Sequence, residues 1–457
     1  MSAPSLVERD RAALWHPATH FGDLERVPPL AIVEARGAWL TEESGRRILD
    51  GIGSWWTSVH GHAHPRIVAA IQDQVARLDH VMFAGFTHAP AVELAERLLE
   101  LGPREPDADA PFYGKVFYSD CGSASIEVAL KLSYQSRVLR GQTNKRRFAA
   151  LQNSYHGETL GALSVCGSPA WREPFGALLS DALYLPTPEP ARHEHEDLDF
   201  RGPCPELGAD SPEAERAVAT LEAHADELTA LIVEPLIQCA GRMRMPGVGF
   251  YRRLAAACRR LDIHLIADEI AVGFGRTGRL FASEWAELAP DLLCLSKGLS
   301  GGALPLAATL IRAGFEADFH GGPERSFAHS HTFTGNPITC AAALASLAVF
   351  DEEQTLARLP ERIEAMAWLR RELAERHPQV VAHRQAGLVA AFVVDRARGP
   401  ADGRLGLALR EAAMARDVLL RPLHDALYWM PPLNVGPDEL ERLALVTSEI
   451  IDEVLPR

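Results

Sequence analysis

Between residues 115 and 311 the chain alternates short apolar runs with stretches of helical periodicity. The runs read KVFYS, RRFAAL, ALYLP, ALIVEP, IHLIADE, LLCLSK and PLAATLI. Such short continuous apolar runs, closed by polar or turn-forming residues, are the pattern of strands buried on both faces. Strands that alternate with helices predict a mostly parallel sheet of seven strands covered by helices, with its ligand site beyond the carboxyl ends of the strands. One helix is marked at its start by Ser211-Pro212, an N-cap followed by proline at the first helical position. It would carry Val218, Leu221, Ala225 and Leu228 on one apolar face.

The pattern changes on either side of this region. AIVEARGAWLTEESGRRILDG, residues 31–51, reads as short antiparallel strands with turns at Arg36-Gly37 and Ser44-Gly45. Towards the other end, GLVAAFVVD, a helix from about 403 to 416, VLLRPL, ALYWMP and a final amphipathic helix form a second set. Together they predict an α/β fold: a large domain over residues 66–335, and a smaller α+β domain built from residues 1–65 and 336–457. The segment 187–210, rich in proline and acidic residues, reads as a solvated loop.

Composition narrows the function. The 457 residues carry a formal charge of −15, which disfavours binding to a phosphate backbone, so no nucleic-acid partner is expected. No apolar stretch approaches the ~18 residues of a membrane span, and Glu8, Arg9, Asp10 and Arg11 interrupt the start; a cytoplasmic protein without a membrane partner is expected. The 7 cysteines are odd in number, scattered and free of CxxC, which fits reduced thiols. The tracts HGHAH (60–64), HEHED (193–197) and HSH (329–331) lack the helical i, i+4 spacing of a zinc site, and no metal is expected.

The run LLCLSK delivers Lys297 from a buried strand into the glycine-rich turn KGLSGG. A charged ammonium there is costly, whereas desolvation lowers a lysine's pKa and makes it a nucleophile for Schiff-base chemistry. IHLIADE ends in Asp268, beside Lys297 if the two strands are neighbours. A carboxylate against a pyridine nitrogen keeps it protonated, the electron sink of pyridoxal phosphate chemistry. Alone, Asp268 also suits a strand end or a helix N-cap. Gly122 and Ser123, between a strand and a helix, offer backbone N–H groups to a phosphate. Tyr155 and His156 leave the next strand, where an aromatic ring stacks on a flat cofactor or simply packs in a turn.

Lys297 in SKG, Asp268 in IADEIAVGFGRTG, Glu234 in VEPLIQ, the Gly122-Ser123 turn and YHG together resemble the class III, fold-type I, pyridoxal-phosphate aminotransferases over nearly the whole chain. LWHP (14–17), DGIGSWWTSVHGHAHP (50–65), HVMFAGFTHAP (80–90), HSHTFTGNP (329–337) and RPLHDALYWMPP (421–432) narrow the resemblance to the biotin-synthesis branch. The pair Trp55-Trp56 is one that other class III members usually lack.

The resemblance implies that Lys297 holds the cofactor and moves the proton, that Asp268 pairs with the ring nitrogen, and that Tyr155 and Ile270 cover the ring. Gly122 and Ser123 would hold the phosphate, with His156 and Glu234 beside the cofactor. His331 and Thr332 would complete the phosphate site of a neighbouring subunit, which makes a homodimer with shared active sites part of the expectation. Trp55, Trp56, Gly335 and Tyr428 would line the substrate channel, and Arg421 would pair with a substrate carboxylate. The branch takes an amino group from S-adenosylmethionine and places it on 8-amino-7-oxononanoate, yielding 7,8-diaminononanoate; some members use lysine as donor.

Three departures from the usual pattern stand out. Ala18 follows WHP where many members have tyrosine, Glu158 follows YHG where they have aspartate, and Ser330-His331 replaces Gly-Pro ahead of Thr332. The first two lie near the substrate in the family, so the donor stays open. A class III ω-amino-acid:pyruvate transaminase is an alternative. A cofactor-binding regulator without turnover is a third reading, against which stands the lack of a basic helix-turn-helix segment.

Overall fold

The computed structural model describes residues 4–104, 111–188 and 208–456. Three short strands come first: β1 (Ile32–Arg36), β2 (Trp39–Glu42) and β3 (Arg47–Asp50), paired antiparallel in that order. Gly37 and Gly45, with φ of 58° and 86°, sit at the two turns between them, a left-handed backbone that glycine adopts without a Cβ penalty.

All seven apolar runs of the central region are strands. They are β4 (Tyr113–Ser119), β5 (Arg147–Leu151), β6 (Ala182–Leu185), β7 (Leu228–Val233), β8 (His264–Asp268), β9 (Leu292–Leu295) and β10 (Ala307–Arg312). Their order across the sheet is β4-β10-β9-β8-β7-β5-β6. Strands β5 to β9 pair in parallel, and β10 runs antiparallel to both β4 and β9. Every residue of β7, β8 and β9 is buried, which is why these segments show no polar alternation.

The remaining strands are β11 (Val380–Ala386), β12 (Val389–Val394), β13 (Val418–Leu419) and β14 (Ala426–Trp429). β11, β12 and β14 form an antiparallel sheet, while β13 adds in parallel to β3. A strand from near the C-terminus thereby completes the sheet begun near the N-terminus.

One local reading is corrected. The helix after Ser211 spans Pro212–Ala223 and buries Ala214, Ala217 and Leu221, so Ala225 and Leu228 are not on its face. Their helical spacing is coincidental: the Ala225 carbonyl accepts from Lys145 Nζ at 2.8 Å, and Leu228 already pairs with Arg147 in the sheet. The segment Gly53–Trp56 is a left-handed helical turn with φ of 54°, 45°, 65° and 75° in succession. The loop reading at 187–210 falls mainly on residues outside those described, as do the HEHED tract and Cys204.

The six described cysteines are free thiols, and among the described residues no helix is long and apolar enough to cross a membrane. No group of three or more His, Cys, Asp or Glu side chains that could hold a metal ion occurs among them.

Candidate active site

The carboxyl ends of β4, β5, β7, β8 and β9 converge on a cavity of about 400 Å³. Parallel pairing puts Asp268 level with Cys294, so the end of β8 faces the segment that carries Lys297 out of β9. Gly122, Ser123, Tyr155, His156, Glu234, Asp268, Ile270 and Lys297 all line the cavity, together with Trp56.

Lys297 leaves β9 in a left-handed conformation, φ 42°, and begins a short turn over Lys297–Ser300. A non-glycine residue there carries strain of about 1–3 kcal/mol, tolerated where the surroundings over-determine the backbone. Burial lowers its pKa, against the opposing effect of Asp268. Its Nζ lies 5.3 Å from the centre of the Trp56 ring.

Asp268 is held by two donors. His156 Nδ1 lies 2.8 Å from Oδ2, and the Ile270 amide donates to Oδ1 at 3.0 Å. This fixes the carboxylate's direction at the end of β8. His156 is buried, and its Nε2 has no partner among the described residues. Behind it, Glu234 accepts from the Tyr155 and Cys239 amides, each at 3.0 Å, tying the turn after β5 to the segment after β7. Burial, with Asp268 nearby, raises the pKa of Glu234 well above the usual carboxylate range.

The other wall is an anion cradle. The helix Gly122–Leu139 starts at the cavity, and its N-cap residue Cys121 gives no side-chain cap, leaving first-turn amides for a ligand. A Cβ at Gly122 would meet Ile270 at 3.0 Å, and one at Gly157, φ 124°, would fall 2.0 Å from Ser123 Oγ. The Glu158 amide donates to Ser123 Oγ at 3.2 Å, and the Tyr155 hydroxyl donates to Glu158 Oε1 at 2.9 Å. Burial and then Glu158 raise the Tyr155 phenol above its ordinary pKa.

A buried amine, an oriented carboxylate, a tyrosine and an isoleucine at one cavity, and free helix amides fit pyridoxal phosphate in each of its parts: aldehyde, ring nitrogen, ring faces and phosphate.

Residues 22–451 match the family described as Aminotransferase class-III. The chain belongs to the class III aminotransferase family. These aminotransferases depend on pyridoxal phosphate, and so does this one. It is 39% identical over 452 residues to the adenosylmethionine-8-amino-7-oxononanoate aminotransferase of Geobacter sulfurreducens, covering 96% of this chain and 95% of that one. The crystal structure of the enzyme of that name from Methanocaldococcus jannaschii superposes with a TM-score of 0.89 at 30% identity, over 98% and 99% of the two chains. The ω-transaminase from Pseudomonas jessenii in complex with PMP superposes with a TM-score of 0.86 at 27% identity, over 98% of each chain.

Against this class III frame, the remaining expected residues are spread outside the main cavity. Trp56 is 5% exposed and donates from Nε1 to the Tyr428 hydroxyl at 3.1 Å, so Tyr428 stands behind the cavity wall. Trp55 is 38% exposed and carries the Arg421 guanidinium on its ring at 4.4 Å. Arg421 lines a second cavity of about 330 Å³ and donates to the Ala18 carbonyl at 3.2 Å. His331 lies 3.1 Å from Asp120 and Thr332 follows it, both outside this chain's cavity lining. Gly335, φ 62°, accepts from His88 Nε2 at 2.7 Å.

Sequence reasoning missed part of the site. Thr57, Ser296 and the segment Gly302–Leu306 also wall the cavity. Asp50, fully buried, holds the left-handed turn through Ser54 Oγ at 2.8 Å, His62 Nε2 at 2.9 Å and the Ile52 amide at 3.2 Å. The available signal was an aspartate ending a strand just before a glycine, which reads equally well as a solvated turn.

Proposed function

We propose that this protein is the aminotransferase of biotin synthesis, moving an amino group from S-adenosylmethionine to 8-amino-7-oxononanoate to give 7,8-diaminononanoate, as a cytoplasmic homodimer with shared active sites. The observation that carries the reading is the path from Lys297 outward. Trp56 faces the lysine and Trp55 next to it carries Arg421, a cation for the carboxylate of a long keto acid. The names of the relatives in Geobacter sulfurreducens and Methanocaldococcus jannaschii support the same reading.

When bound, pyridoxal phosphate supplies an electron sink for the donor's Cα and carries the amino group between two half-reactions. The chain's own residues do the rest. Lys297 Nζ, kept largely desolvated, takes the Cα proton from the donor and returns a proton to the acceptor carbon in the second half. Asp268, oriented by His156 and the Ile270 amide, holds negative charge against the ring nitrogen. Gly122 and Ser123 would hold the phosphate at the helix start, and His331 and Thr332 would complete that phosphate site in the neighbouring subunit.

A second reading keeps the acceptor and takes lysine as donor, a choice that Ala18 and Glu158 leave open. Half-reactions on the yellow, cofactor-loaded enzyme decide. Bleaching of the visible absorbance by S-adenosylmethionine, reversed by 8-amino-7-oxononanoate, is the expected result. Bleaching by lysine instead selects the second reading. Bleaching by alanine alone, with no recovery on adding the keto acid, replaces both with an ω-amino-acid transaminase.

A further inference from the structure

The second cavity, beside Trp55, has its own chemistry. Arg421 follows β13, and Arg410 projects from the helix Leu405–Met414; both line this space together with Ala18 and Asp23. Arg421 is positioned by the Trp55 ring and the Ala18 carbonyl. Arg410 Nε is covered from solvent and has no hydrogen-bond partner among the described residues. The one carboxylate among the lining residues, Asp23, is already paired with Arg404. Arg396 and Arg404 line the space as well, so four guanidinium groups share a half-buried cavity with a single carboxylate, an arrangement that an incoming anion relieves. Burial lowers the pKa of Arg410 and Arg421; at Arg410 the neighbouring Arg421 adds to the lowering and Asp23 opposes it.

Ala18 contributes to the space. Its side chain is only a methyl group, on a backbone with φ 48°, which leaves the volume beside Arg421 open. Paired guanidinium forks match the two oxygens of a carboxylate. Trp56 and Trp55 follow one another from Lys297 towards this cavity.

We propose that Arg410 and Arg421 together hold the remote carboxylate of the keto-acid substrate, with Arg410 a further specificity-determining residue that Ala18 makes room for. The proposal rests on the function proposed above, in that a chain lying along the two tryptophans has its carbonyl at Lys297 and its carboxylate at the arginines. The amino donors carry a carboxylate too, so the same chemistry has two sources, which separate half-reactions tell apart.

The test uses cofactor-loaded wild type, Arg410→Gln and Arg410→Lys, with the visible spectrum of bound cofactor confirming an intact site. Calorimetry measures binding of nonanoate and of its uncharged counterpart nonanamide. Wild type is expected to prefer nonanoate, Arg410→Gln to bind it about 10-fold more weakly, and Arg410→Lys to recover part of the loss, with nonanamide unaffected throughout. In the half-reactions, KM for 8-amino-7-oxononanoate rises by a similar factor in Arg410→Gln with kcat little changed, while KM for the donor stays put. Equal nonanoate binding by wild type and Arg410→Gln, or no preference over nonanamide in wild type, overturns the subsite. A rise in the donor's KM alone overturns the assignment to the keto acid. If the keto acid is not a substrate yet nonanoate binding still depends on Arg410, the biotin reading has failed and the carboxylate subsite stands.

Discussion

Lys297 meets three conditions at once: a strand end, a left-handed backbone and a desolvated amine whose pKa burial depresses. Only the first shows in the order of residues. An apolar run that delivers a lysine into glycines signals chemistry because a buried ammonium is costly to leave idle. The backbone strain at that residue and the closeness of Trp56 depend on what packs around the turn. Replacing Lys297 by alanine is expected to lower kcat by at least about 10²–10⁴-fold while the anion cradle and Asp268 still retain cofactor. Turnover assays beside the spectrum of bound cofactor check both halves, and an active Lys297→Ala would remove the lysine from the proton transfers. Asp268 was legible on the same grounds, whereas the pairing of His156 with it, across 112 residues of sequence, was not.

At the scale of elements, the seven buried strands were legible because continuous apolar runs need a dry environment on both faces. The Pro212–Ala223 helix was read too long because 3.6-residue spacing continued by chance into the next strand. The turn Gly53–Trp56 gave no signal at all, since left-handed backbone over three non-glycine residues costs roughly 1–2 kcal/mol each and persists only where neighbours impose it. Asp50 and His62 impose it here. Burial pushes the Asp50 carboxyl up, but hydrogen bonds from His62 and Ser54 bring it below its ordinary pKa. The sign follows: Asp50 contributes stability that is fully present above the unfolded pKa, about 4, and is lost as pH falls through the lower folded value. His62→Ala is expected to cost about 1–3 kcal/mol at pH 7 and to raise KM more than it lowers kcat, because the tryptophans lose their fixed position. Urea midpoints for wild type and His62→Ala should converge below pH 4; a constant gap would show that Asp50 is not the partner that matters.

At the scale of the whole molecule, the segments 80–88 and 329–337 lie against each other, with the His80 and Phe333 rings 4.9 Å apart. They leave Met82, Phe86 and Phe333 more than half exposed in the single chain. An apolar patch beside His331 and Thr332 supports the proposed homodimer, in which those two residues serve the partner's phosphate site. Mixing inactive Lys297→Ala chains with weakened Thr332→Ala chains is then expected to restore activity, because one site of each hybrid dimer has both an intact lysine and an intact threonine. Activity that never exceeds the sum of the separate variants would show that each chain builds its phosphate site alone.

Local order along the chain determined the sheet, the strand-end chemistry and the family, because burial, turn formation and a reactive residue at a strand exit each leave a mark within a few neighbours. Tertiary structure alone decided which side chain orients Asp268, how Gly53–Trp56 is wound, and that Arg410 and Arg421 meet at one cavity. Those outcomes join segments far apart in sequence, through contacts whose strength depends on distance, burial and the absence of a competing partner, and no spacing along the chain encodes any of the three.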